Sequence, residues 1–197
     1  MLNFKVTNKE SVMFNVIVIV GSLRKESFNK KLALALDKLK HPQLKFSISK
    51  IDDIPLYNQD LDNNLPSSVV RLKKEILSAD AVLFVTPEYN RSIPGVLKNI
   101  IDWGTRPYGQ NSWMGKPTAT IGTSPGVVGT AVAQSHLRSI LVAINAALLG
   151  QPEVYLIYKD DLIDSTFNIT VEATQKFLQD FLDRFVQWIT LHQGKKA

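Results

Sequence analysis

The sequence contains no cysteine. That removes disulfides, thiol nucleophiles and zinc–thiolate centres together, so redox chemistry in this chain must come from a bound cofactor. Histidine is scarce: His41, His136 and His192 are scattered, without the close spacing of an HExxH site, and no metal centre is expected. Long apolar runs are missing as well. The stretch from Val16 to Val20 is far shorter than the roughly 20 residues of a membrane-spanning helix. Asn3, Lys5, Thr7, Asn8, Lys9 and Glu10 interrupt any signal-peptide core. A cytoplasmic protein without membrane attachment is therefore expected. The loop after the first apolar run has neither GxGxxG nor GxxxxGK(S/T), which argues against a dinucleotide platform or a nucleoside triphosphatase.

Acidic residues are outnumbered, giving a formal charge of +5 and a pI near 9.3. The cations are dispersed among acids, as where Lys73 and Lys74 adjoin Glu75, so a nucleic-acid surface is not indicated. The balance instead provides a favourable mean field for anionic ligands.

What is present is a core. With 45% hydrophobic and 21% charged residues in 197, the chain suits a single domain over 1–197. Residues 1–13 read as an extension and 193–197 as a frayed tail. Residues 15–20 read as a buried strand closed by Gly21, and residues 28–40 as a helix with Leu32, Ala35, Leu36 and Leu39 on one face. A second strand is expected over 44–51, then an irregular acid-amide segment over 52–64. Pro66 opens a helix to about Ala79, followed by a strand over 81–85 and a short helix over 96–103. The spacing predicts a strand over 116–123, then a helix through Leu137, Ile140, Leu141, Ile144 and Leu148 that stops at Gly150 and Pro152. A last strand covers 153–158, and a helix over 171–192 carries Phe177, Phe181, Phe185 and Ile189 at intervals of four. Five strands alternating with five helices imply a parallel sheet covered on both faces. Ligands of such sheets lie beyond the carboxyl ends of the strands, so the loops after strands one, three and four define the search.

The first loop, Gly21-Ser-Leu-Arg-Lys-Glu-Ser-Phe-Asn29, sets Ser22, Arg24, Ser27 and Asn29 ahead of a helix N-terminus. Hydroxyls, an amide and helix-end N–H groups suit a phosphate, although Ser27 also suits a plain N-cap and Arg24 a solvated surface. The loop after strand four, Gly122-Thr-Ser-Pro-Gly126, formally matches the GxSxG nucleophile elbow, and Ser124, Asp164 and His192 follow the hydrolase order. One atom rules against it: the residue after the serine must donate a backbone N–H to the oxyanion, and Pro125 has none. The loop after strand three, Thr86-Pro-Glu-Tyr-Asn-Arg-Ser-Ile-Pro-Gly95, holds a lone carboxylate, Glu88, without a partner acid or histidine, which is weak ground for acid–base catalysis. Read jointly, the three loops describe a site for a flat ring with a phosphate tail, and a single phosphate loop favours a mononucleotide.

Gly21-Ser-Leu-Arg-x-x-Ser-x-Asn29, Pro87-Glu-Tyr-Asn-x-Ser-Ile-Pro-Gly-Val-Leu-Lys-Asn-x-Ile-Asp-Trp103 and Ser124-Pro-Gly126 resemble the NADPH-dependent FMN reductase family, nearest to its bacterial quinone and chromate reductase group. The resemblance implies a three-layer flavodoxin-like α/β fold with strand order 2-1-3-4-5, bound FMN, and hydride transfer from NADPH or NADH through flavin to a quinone, flavin, chromate or similar acceptor. It implies that Ser22, Arg24, Ser27, Phe28 and Asn29 hold the FMN phosphate and its approach. Pro87, Glu88, Tyr89 and Asn90 would line the ring largely through backbone groups, with Ser124 and Gly126 on the other side. A homodimer or homotetramer is implied, and no catalytic side chain. Arg91 and Arg106 are candidates for steering the nicotinamide cofactor, or are surface arginines. Two departures stand out: Thr130, where many relatives carry glycine, is expected to narrow the third loop or alter the approach of the acceptor, and Glu26 must point away from a phosphate. The competing class is a flavodoxin-type electron carrier without its own NAD(P)H oxidation; such carriers are strongly acidic, and this chain is basic.

Overall fold

The computed structural model describes residues 12–193. The extension and tail expected at 1–13 and 193–197 lie largely outside these residues. The element order is β1 (Phe14–Val20), α1 (Phe28–Lys38), β2 (Leu44–Ile48), α2 (Ser67–Ser78), β3 (Ala81–Val85), α3 (Gly95–Gly104), β4 (Pro117–Ser124), α4 (Ala131–Ala143), β5 (Ala147–Leu148), β6 (Val154–Ile157) and α5 (Glu172–His192). A short 3-10 turn, Gln59–Leu61, is the only regular element in the irregular segment after β2.

The sheet is parallel, in the order β2-β1-β3-β4-β5, with β6 also paired to β4. Its central strands are apolar at nearly every position because both faces are covered. Val16, Val18 and Val20 of β1 point to a layer with Leu32 and Leu36 of α1 and Phe181 and Phe185 of α5. Ile17 and Ile19 point the other way, to Leu72, Leu97 and Leu137 of α2, α3 and α4. The expected flavodoxin-like three-layer architecture is thus present. On α5, Phe181, Phe185 and Ile189 are buried, whereas Phe177, also expected on the apolar stripe, is 37% exposed.

One expected element differs. The helix predicted to reach Leu148 ends at Ala143, because Asn145 takes a left-handed conformation (φ 59°). The Ala146 and Asn145 N–H groups then bond the carbonyls of Leu141 and Val142, both at 3.0 Å, forming a Schellman closure in which asparagine does what glycine usually does. Ala147 and Leu148 are released to pair with Pro117 and Thr118 of β4. Gly150 and Pro152 interrupt this outer strand, and Val154–Ile157 rejoins β4 at Ile121–Ser124. Proline cannot donate to the ladder, so the break falls where the chain lacks an N–H. The last expected strand, 153–158, is present as β6, and β5 is an additional short strand beside it, formed by residues expected in the helix.

Candidate functional site

The loops after β1, β3 and β4 meet at the carboxyl edge of the sheet, and specific contacts hold them there. Gly21 donates to the Val85 carbonyl at 2.9 Å. A Cβ at Gly21 would stand 3.1 Å from Leu97 and 3.3 Å from the Thr86 hydroxyl, a tight fit in which the Leu97 and Thr86 side chains would have to give by a few tenths of an ångström. Asn29 is buried in the first turn of α1, and its amide both donates to the Thr123 carbonyl (2.8 Å) and accepts from the Thr123 N–H (3.0 Å). It ties α1 to β4 across a sequence separation of 94 residues.

In the first loop, the Ser27 hydroxyl caps α1 by accepting from the Lys30 N–H at 3.2 Å. The Phe28 and Asn29 N–H groups, in the first helical turn, have no intrahelical acceptor. Ser22 accepts from the Arg24 N–H at 3.3 Å. The Arg24 guanidinium lies 4.9 Å from the Phe28 ring centroid, and Phe28 stacks on Tyr158 at 3.9 Å. Stacking uses the face of the guanidinium and leaves its in-plane donors available to an oxyanion. Glu26 pairs with Lys31 at 3.3 Å with its side chain 72% exposed, directed outward as a phosphate neighbour requires.

The second loop is a tight hairpin. Tyr89 and Ser92 exchange two backbone hydrogen bonds of 3.0 Å, and Asn90 (φ 49°) and Arg91 (φ 60°) form the turn between them. Two successive positive φ values define a type I′ turn, for which Asn-Gly is preferred. Arginine in the second position is strained. Glu88 is drawn away from any acid–base role: one carboxylate oxygen accepts from the Val132 and Ala133 N–H groups at 3.1 and 3.0 Å, and the other pairs with Arg91 at 3.3 Å. It serves as the N-terminal cap of α4, whose own Thr130 makes no side-chain cap bond. Pro87 is buried, and its carbonyl accepts from the Thr86 hydroxyl at 2.8 Å; Tyr89 is 51% exposed.

In the third loop, the Ser124 hydroxyl donates to the Gly129 carbonyl and closes the Pro125–Val128 turn over Gly126. His192 bonds the Trp188 carbonyl at 2.9 Å and packs on the Trp188 ring. Neither is arranged as a nucleophile and base, in line with the objection raised by Pro125. Thr130 does not narrow the loop as expected. It is fully buried, accepts from the Gln134 amide at 2.8 Å, and fills space beside Gly122, where a Cβ would stand 2.2 Å from the Thr86 carbonyl.

Arg106 corrects a second expectation. It lies at the far end of α3, bonded through Nε to Asp62 at 2.9 Å and again through Nη2, with its guanidinium 5.6 Å from the Tyr57 ring. Hydrogen bonding to Asp62 pushes it above the ordinary arginine range. Its charge is spent on fastening the irregular segment to α3, where Asn99 and Trp103 also bond the Pro55 carbonyl at 2.8 Å. Of the two steering candidates, only Arg91, with a side chain 69% exposed, stands at the site. Another cation, this one buried, is likewise structural. The Lys73 ammonium bonds the Gly104 and Gln110 carbonyls and the Ser112 hydroxyl, and burial pushes its pKa down.

Sequence reasoning missed Tyr158, whose ring backs Phe28 and whose N–H donates to the Ser124 carbonyl at 2.8 Å. Its position just beyond β6, at the carboxyl edge, was the available signal. It also missed that Glu88 addresses α4, since nothing in the stretch between the two residues, 44 positions apart, marks that contact.

The donor set fits FMN. A helix N-terminus with serine hydroxyls and a stacked guanidinium suits the phosphate, and a rigid hairpin whose carboxylate is consumed, and whose Tyr89 and Ser92 main chains bond each other, leaves the Glu88 and Asn90 main-chain groups for a ring edge. No group of three or more potential metal-ligating side chains occurs among the described residues.

Comparison with known proteins agrees. The family model for NADPH-dependent FMN reductase matches residues 14–160. A 2-hydroxy-1,4-benzoquinone reductase from a Burkholderia species is 49% identical over 174 residues, 88% of this chain and 95% of that protein. A quinone reductase of Pseudomonas putida is 46% identical over 185 residues, 93% of this chain and 99% of that protein. Among solved structures, FerB, the flavoenzyme NAD(P)H:(acceptor) oxidoreductase from Paracoccus denitrificans, superposes with a TM-score of 0.88 at 51% identity, covering 91% of this chain and 99% of that one. The chain belongs to the NADPH-dependent FMN reductase family and is an FMN-dependent oxidoreductase that takes its electrons from NAD(P)H.

Proposed function

We propose that this enzyme reduces quinones as its principal acceptors, with free flavins and metal oxyanions such as chromate as further candidates. The observation that carries this reading is the commitment of Glu88 to the α4 N-terminus: the one carboxylate of the second loop is occupied, so the loops provide a binding frame and the redox chemistry belongs to the cofactor. Bound FMN supplies two-electron hydride chemistry. The protein's part is to place and shield it. Ser22, Arg24, Ser27 and the main-chain N–H groups of Phe28 and Asn29 hold the phosphate end, Pro87, Glu88, Tyr89 and Asn90 line the ring with the Glu88 and Asn90 main chain on its edge, and Ser124 and Gly126 close the third side. Tyr89 and Val127, 51% and 87% exposed, give a flat acceptor an apolar rim.

Arg91 steers the anionic nucleotide. Its left-handed backbone is a strained choice for an exposed arginine, and strain kept at a site edge is a reason to look for function there. A homodimer or homotetramer, in which a neighbouring subunit covers this rim, and a cytoplasmic location, where NAD(P)H is supplied, complete the reading. Steady-state assays with NADPH and NADH against benzoquinones, FMN and chromate test the acceptor assignment, and light scattering tests the assembly. The assignment predicts the highest kcat/KM with a quinone; preference for free FMN or chromate by tenfold or more would overturn it.

A further inference from the structure

Beside the first loop, on the side away from β3, lies a cleft of about 580 Å³ over the carboxyl ends of β1 and β2. Its rim carries Arg24, Lys25, Lys30 and Lys50 against a single carboxylate, Asp52. Lys50 is partly neutralised, 4.0 Å from Asp52 and 3.5 Å from Asp53, but Asp53 is itself drawn to Arg71 at 2.8 Å. Lys25 and Lys30 have no ion-pair partner among the described residues, and Glu26, the acid of this loop, is turned to Lys31 and does not line the cleft. Apolar surface accompanies the charge: Leu23 is 57% exposed and Ile48 39% exposed in the same wall. The cleft shares Ser22 and Arg24 with the loop described for the FMN phosphate, but Ser27 and Asn29 do not line it, and it extends from that loop to Lys25, Lys30 and the end of β2 at Ile48–Asp52.

We propose that this cleft holds the adenosine end of NADPH, with Lys25 and Lys30 on its 2′-phosphate and the purine against Leu23 and Ile48. The proposal rests on the NAD(P)H-dependent reading above. Strand order supplies the distance. The ring site lies between the loops after β3 and β4 and the cleft lies over β1 and β2, two strand spacings away, roughly 10 Å at the usual separation. A dinucleotide whose nicotinamide and 2′-phosphate are separated by two riboses and a pyrophosphate spans that interval. A phosphate monoester is the strongest anion such a ligand offers, and two unpaired ammonium groups match it as point charges. The cleft thus favours NADPH over NADH.

The test uses FMN-loaded protein carrying Lys25→Glu and Lys30→Glu together, with the Lys25→Gln and Lys30→Gln pair as a milder form. With one quinone as acceptor, the ratio of kcat/KM for NADPH to that for NADH is expected to fall tenfold or more in the charge-reversed protein, through KM, and less in the glutamine pair. Calorimetric binding of adenosine 2′,5′-bisphosphate to FMN-loaded protein, which needs no turnover, is expected to weaken in parallel while adenosine 5′-monophosphate changes little. Equal losses for both nucleotides, loss of FMN, or an unchanged ratio would each overturn the proposal. Tight bisphosphate binding by a protein that oxidises neither nucleotide would uphold the cleft and reject the enzymatic reading instead.

Discussion

Truncating Glu88 separates a structural from a chemical role for the most conspicuous carboxylate at the site. One of its oxygens accepts two hydrogen bonds, at 3.1 and 3.0 Å, from the second and third N–H groups of α4, and the helix has no other side-chain cap. Losing a capping acceptor costs about 0.5–2 kcal/mol, and losing a partly buried negative charge at a helix N-terminus costs roughly another 0.3–2 kcal/mol. The pair with Arg91 adds nothing measurable, because that guanidinium is mostly in water. Glu88→Ala should therefore lose about 2–3 kcal/mol. Glu88→Gln keeps an acceptor oxygen and gives up the charge, so about 1 kcal/mol is expected. Urea unfolding of both variants, read as the midpoint shift at constant m-value, measures this. Because the same contact joins the second loop to the start of α4, FMN affinity should fall for alanine and hold for glutamine, with turnover following FMN content. A Glu88→Gln protein that binds FMN, unfolds normally and yet has lost its turnover would refute the reasoning, as would a Glu88→Ala protein of unchanged stability.

Arg91→Gly should stabilise the protein by roughly 0.5–1 kcal/mol, as glycine removes a left-handed penalty of about 1–2 kcal/mol and returns part of it as unfolded-chain entropy. It should also raise KM for NADPH, more at low salt than at high. Gly122→Ala should destabilise by about 1–3 kcal/mol or more and weaken FMN binding, since the new methyl meets the Thr86 backbone at 2.2 Å and nothing flexible can yield; thermal unfolding and flavin content report both. Asp164 accepts from Asn168 and Thr166 through backbone and side-chain donors, which holds its carboxyl down from 3.8 to about 2. A depressed carboxylate contributes stability above its unfolded value and loses it as pH falls toward the folded one. Acid unfolding of Asp164→Asn should accordingly show a shallower loss of stability between pH 4 and 2 than the parent protein.

Much of this was legible in the sequence because it depends on local pattern. The apolar runs at β1 and β3 are continuous where both sheet faces are covered, and the N-cap at Ser27 precedes a clean helical stripe. Gly21 marked the edge where a loop must approach another backbone. What could not be read were contacts whose partners lie far apart in the chain. Asn29 looked like a phosphate ligand, but its side chain is used by Thr123; Arg106 looked like a steering charge, but Asp62 holds it. In both cases residue type announces a strong hydrogen-bonding group, and only the fold decides what it meets. The end of α4 was missed for a different reason: Asn145 closes the helix in a conformation more often given to glycine, and Gly150 drew the boundary too far.

We propose that the three loops hold FMN where NAD(P)H can reduce it and a quinone can reoxidise it. Anaerobic mixing of FMN-loaded protein with NADPH, followed by a benzoquinone, tests this directly. Bleaching of the flavin's visible absorbance is expected on the first addition and full recovery on the second, with one quinone reduced for each NADPH consumed. Protein that holds FMN tightly but does not bleach with NADPH or NADH, and is reduced only by a protein donor or by light, would contradict it.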